Sequence, residues 1–178
     1  MKKLILLLMV AMVSATFAYS RSHTGNPDSS RTSVAEEVKG NWMCGHFSMT
    51  EYWSQNPVEY IGNGLEYAFA FTFNADGTYT QYFTAGSVIN GVRTYQQSVA
   101  KGKVEIDPVN KAIKTHALQV HYRRTVGKQI VEDRDLDKSE FSPNNSYTYT
   151  KGQEPNGSAA LYLTLQGTSS PLTFQHVE

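Results

Sequence analysis

The residues able to do chemistry are few and scattered. Asp133, Asp135 and Asp137 alternate, with Glu132 and Glu140 beside them. This invites a calcium-loop reading, but an EF-hand loop needs Gly at its sixth position and Glu at its twelfth. Counted from Asp133, those positions hold Lys138 and Asn144, and Arg134 and Lys138 offset the acids. The expectation is a solvated charged loop without a structural metal. The histidines His23, His46, His116, His121 and His176 show no His-x-His spacing, and no Cys-x-x-Cys pair is present, so zinc is not expected. His116 and His121 are five apart, which on a regular strand puts them on opposite faces. Cys44 is the single cysteine and cannot form an internal disulfide; a buried, inert thiol is expected. No nucleophile elbow, phosphate loop or dinucleotide fingerprint occurs. The residue types point away from an enzyme, and no cofactor is expected.

What the chain has in abundance is aromatic side chains on strands. In residues 67–83, Tyr67, Phe69, Phe71 and Phe73 alternate with Ala68, Ala70 and Thr72. Residues two apart on a strand share a face, so the four rings stand together. The turn Asn74-Ala75-Asp76-Gly77 follows, with Gly77 suited to positive φ in a G1 bulge. That register sets Phe73 opposite Tyr79, Phe71 opposite Gln81 and Phe69 opposite Phe83, which gathers the rings on one side. So much aromatic area needs a core or a pocket to cover it. Tyr67, Phe69, Phe71, Phe73, Tyr79 and Phe83 are therefore the candidate lining of a cavity, with a packed core as the other reading.

The rest of the chain must position this hairpin. Residues 1–18 read as an export signal: Lys2 and Lys3, then an apolar run over 4–13 too short to span a bilayer, then small residues. Residues 19–32 read as a disordered leader. No integral membrane segment is expected after signal cleavage, and one domain is expected over 33–178. Ser33 and Glu36 form a capping box that predicts a short N-terminal helix through Val38. A long first strand is expected from Gly40 and Trp42 to about Trp53, followed by a loop to about Leu65. Further strands are expected over 92–99 and 101–106 with a break at Gly102, then 111–124, 126–131, 146–150, 160–166 and 172–177. Residues 132–143 read as charged and irregular. Eight to ten short strands with regular turn signals predict an all-β, antiparallel up-and-down β-barrel or a sandwich.

A short helical turn, then Gly40-Asn41-Trp42 opening the first strand, then a meander, resembles the lipocalin-like (calycin) barrels. The Asn74-Ala75-Asp76-Gly77-Thr78-Tyr79 turn is similar to hairpins of small secreted bacterial lipocalin-like domains. The resemblance implies that Gly40 and Trp42 anchor the closed end of a barrel, and that the cup holds a small apolar ligand.

Lys+Arg and Asp+Glu are balanced at 16 each, so the chain lacks the basic excess that favours nucleic acid or anionic membranes. The sequence thus predicts an exported, periplasmic or secreted, non-enzymatic barrel. Its partner would be a small hydrophobic molecule or, with a filled core, a protein that its rim loops and tyrosines contact.

Overall fold

The computed structural model describes residues 34–61 and 67–178. The expected export signal, the leader, Ser33 of the capping box and Gly62-Asn63-Gly64 lie outside them. The described residues form β1 (Gly40–Cys44), α1 (Pro57–Ile61), β2 (Tyr67–Phe73), β3 (Thr78–Ile89), β4 (Val92–Asp107), β5 (Ala112–Val126), β6 (Gln129–Asp135), β7 (Asn144–Gln153), β8 (Ala159–Leu165) and β9 (Leu172–Val177). All pairings are antiparallel, in the order β4-β3-β2-β1-β9-β8-β7-β5-β6, and a further β4–β5 pairing closes the sheet into a ring. β6 stands outside that circuit. The first part of β5, Ala112 to His116, pairs with β7, whereas His121 to Val126 pairs with β6.

The β2–β3 hairpin has the bulged register that its aromatic pattern predicts. Phe73 faces Tyr79, Phe71 faces Gln81 and Phe69 faces Phe83. Gly77 has φ +76°, and Asp76 accepts from the Thr78 amide at 2.9 Å, which fixes the turn. Every strand of the closed ring sends a buried side chain to one cluster. Trp42, Phe71, Tyr79, Ile106, Ile113, Tyr149, Leu161 and Phe174 all belong to it, so this cluster is the interior.

A second layer lies outside. Met43, Ala68, Ala70, Tyr95 and Val99 have the opposite parity on β1, β2 and β4, and they pack against Phe47, Tyr52 and Ile61. Residues 45–61 thus form a strap over the outer wall. The expected long first strand is corrected here: β1 stops at Cys44, because Gly45 adopts φ +102° and turns the chain onto the wall. The expected loop before β2 contains α1, whose Ile61 is buried against the wall at Gly86.

Three further expectations change. Residues 36–38 make one turn, closed by the Val38 amide on the Ala35 carbonyl at 2.9 Å, and the described residues show no N-terminal helix. The Val38 carbonyl, which a helix would use, instead accepts from Trp42 Nε1 at 2.7 Å. Gly102 does not split β4. A Cβ there would collide with the His116 carbonyl, so glycine permits close approach of β5, and the register shifts beside it, leaving Leu118 as the extra residue. Finally, residues 132–135 belong to β6; their charges pair across to β5, which the local pattern does not reveal.

Candidate functional site

The six aromatic residues of the hairpin separate into three environments. Phe71, Phe73 and Tyr79 are fully buried. Phe69 and Phe83 are half-buried and meet edge-to-face at 5.6 Å, while Tyr67 is 49% exposed. Phe71 is ringed by Phe69 at 5.0 Å, Phe73 at 5.1 Å, Tyr147 at 5.8 Å, Phe174 at 5.7 Å and Tyr79 at 6.5 Å. At that level the ring's interior is occupied by side chains. Two hydroxyls there, Tyr79 Oη and Thr115 Oγ1, are buried and have at most each other as a hydrogen-bond partner.

Gly40 and Trp42 open β1. Trp42 is 2% exposed, and its ring meets His176 of β9 edge-on at 5.1 Å. Gly40 has φ +108°, and a Cβ there would press on the His176 ring. Beside it, Glu37 accepts from Tyr149 and, at 2.9 Å, from Lys111, tying the N-terminal turn to β7 and to the turn between β4 and β5. These two hydrogen bonds hold the Glu37 carboxyl below its usual range, and burial plus the carboxylate push the Tyr149 phenol up.

The chemistry that sequence spacing did not assemble lies on the outer wall. Under the strap, Tyr52 Oη donates to the Phe83 carbonyl at 2.6 Å and meets Thr84 Oγ1 at 2.8 Å. Thr84 Oγ1 meets Tyr60 Oη at 3.1 Å, which accepts from Gln97 Nε2 at 3.0 Å. Burial pushes the Tyr52 and Tyr60 phenols well up, so both remain neutral donors.

At the strap's edge, Trp53 covers Val99 and faces β5. The Arg123 guanidinium lies 4.9 Å from the centre of the Trp53 ring and donates to the Trp53 carbonyl at 2.7 Å. The His121 ring stands edge-on to Trp53 at 5.0 Å. Its Nδ1 is 2.8 Å from Asp135 and its Nε2 is 2.8 Å from Asp133, while Arg123 takes the other oxygen of Asp133 at 2.8 Å. A neutral imidazole has one N–H, so only the imidazolium donates to both carboxylates. Burial opposes that charge, but the hydrogen bonds and charges of Asp135 and Asp133 outweigh it and raise the His121 pKa above its usual value. Arg123 and His121 in turn lower Asp133, and His121 and Gln119 lower Asp135.

A groove of about 290 Å³ opens here, lined by Trp53, Val99, Lys101, Gln119, His121 and Asp135. Sequence did hold a signal for this site. Basic residues two apart, His121 and Arg123, precede Gly127, and acids two apart, Asp133 and Asp135, follow it; a hairpin through Gly127 brings them together. The two carboxylates sit on opposite sides of the imidazole, and among the described residues no group of three or more His, Cys, Asp and Glu is placed to hold a metal ion. Arg134 binds Glu140 at 2.7 Å and Glu132 at 2.9 Å, so both glutamates of this stretch have a counter-charge.

Among the described residues no helix is long and apolar enough to cross a membrane. No protein-family model, curated protein or solved structure matches the chain.

Proposed function

We propose that the protein is an exported, non-enzymatic, lipocalin-like barrel with a filled core, acting as a protein-interaction module through its outward-facing loops and aromatic side chains. The observation that carries this reading is the packing around Phe71, where five rings occupy the space a ligand would need. The polar and aromatic groups that reach the surface, Trp53 and His121 among them, lie on the outer wall instead. Export rests on the signal-like residues 1–18, and the lipocalin-like placement rests on Gly40-Asn41-Trp42 together with the closed antiparallel ring.

A second reading, binding of a small hydrophobic molecule, is favoured by Phe69 and Phe83, which are only half-buried towards the Tyr67 end of the hairpin. Native mass spectrometry of the protein purified from its own host separates the two. A clean mass of the chain alone is the expected result. A retained small molecule, lost on Phe83→Ala, overturns the filled-core reading in favour of the second.

A further inference from the structure

The outer-wall cluster joins three parts of the molecule through one titratable ring. β6 pairs only with β5 among the described residues, and the residue pairs at its end are His121 with Asp135 and Arg123 with Asp133. The strap reaches the same point through Trp53. Facing His121 are Asp133 and Asp135 from β6, Arg123 from its own strand, Lys101 from β4 across the groove, and the uncharged Trp53 from the strap.

We infer that His121 is a pH-operated latch, which as an imidazolium fastens the end of β6 to β5 beside the strap and on losing its proton lets that end go. The asymmetry of the contacts says where the release falls. Without its charge the ring keeps one N–H and can serve only one of the two carboxylates; Asp133 keeps Arg123 at 2.8 Å in either tautomer, whereas beyond His121 Asp135 has only the Gln119 amide at 3.2 Å. One ring nitrogen would then turn a lone pair toward a carboxylate, which repels it. The latch therefore opens at Asp135, where β6 ends and the chain turns into the loop carrying Leu136.

The sign of the effect follows from the contacts. Both carboxylates favour the charged ring, so its folded pKa lies above its unfolded one. The latch is complete below about pH 6.5, the ordinary histidine value, and fades as the pH rises through the folded value. An exported protein meets such pH changes directly, whereas the interior cluster holds no ionisable group that titrates there.

The test follows each histidine ring by NMR from about pH 5 to pH 9, with backbone amide exchange measured at the same points. Amides of β8 serve as the internal reference for the intrinsic pH dependence. The expected result is a His121 midpoint above 6.5 that moves down in Asp135→Asn. Across that midpoint, β6 amides near Asp135 should lose about tenfold in protection relative to β8. His121→Gln, which keeps one amide donor and cannot charge, should remove the pH dependence. A midpoint at or below 6.5, a flat β6 to β8 ratio, or an unchanged pH dependence in His121→Gln overturns the latch. Should Asp135→Asn fail to fold, the parent and His121→Gln still decide.

Discussion

Inside the ring, Phe71 meets five other aromatic rings; under the strap, Tyr52 meets three and also passes its hydroxyl into a chain of four polar side chains. The two cores share one sheet, whose alternate residues feed one or the other. Their polar atoms fare differently. The interior offers Tyr79 Oη and Thr115 Oγ1 at most each other, while beneath the strap Tyr52, Thr84, Tyr60 and Gln97 satisfy one another. The interior is held chiefly by shape and area, with Trp42 and Tyr149 bonded only at its margin. The outer core adds direction, because hydroxyls and an amide fix how the strap sits on the wall.

The largest effect should come from breaking the interior. Phe71→Ala is expected to cost about 3–5 kcal/mol, as removal of a fully enclosed ring does. Urea unfolding measures it, and a cost below about 1 kcal/mol would show that the interior is loosely filled. Tyr52→Phe probes the outer core and should cost about 1–3 kcal/mol, since it removes the Tyr52 donor from the Phe83 carbonyl and leaves Thr84 with Tyr60 alone, while keeping the ring. A neutral result would mean that water replaces the hydroxyl and that the strap opens readily.

Tyr79→Phe makes the same chemical change in the other core and should behave differently. It is expected to be close to neutral, within about 1 kcal/mol, because the buried hydroxyl has at most Thr115 as a partner to offset its desolvation. A loss of more than about 1 kcal/mol would reveal an interior water bridging Tyr79 and Thr115, and the contrast between the cores would shrink.

The smallest effect concerns the interior's surface tie at Glu37. Its folded pKa lies below the ordinary value, so its contribution is present above about pH 4.5 and is lost as the pH falls through the folded value. The urea midpoints of the parent and Glu37→Gln should therefore differ at pH 7 and converge near pH 3. A constant difference would assign the contact to packing rather than charge.

The interior was the legible part of this molecule. Alternating rings over residues 67–73 and the Asn74–Gly77 turn set the β2–β3 register without help from distant residues. The strap was not legible. Phe47, Tyr52 and Trp53 are aromatic because they cover a wall, yet in sequence they continue the pattern that Trp42 begins, and only the backbone of Gly45 separates the two uses. The hairpin through Gly127 was expected, but the second half of β6, residues 132–135, was hidden for a different reason. Its charges are satisfied by His121, Arg123 and Arg124 on the neighbouring strand, so locally it has the composition of a solvated loop. The outer-wall site inherits both difficulties, since it needs the strap and β6 at once.

The pairing of β1 with β9 has a consequence for how the molecule is made. Asn41 lies beside Val177 and Met43 beside Gln175, so the first described strand is completed by the last. Such a seam carries nearly the largest loop-closure entropy the domain can have, and it forms after local hairpins such as β2–β3. A nascent chain can zip most of the meander while it is still being synthesised, but it must wait with two bare strand edges until β9 emerges. During that interval the edges of β1 and β8 are open to pairing with other chains. Closing the seam therefore buries two strand edges at once and leaves β6 as the open edge of the sheet among the described residues.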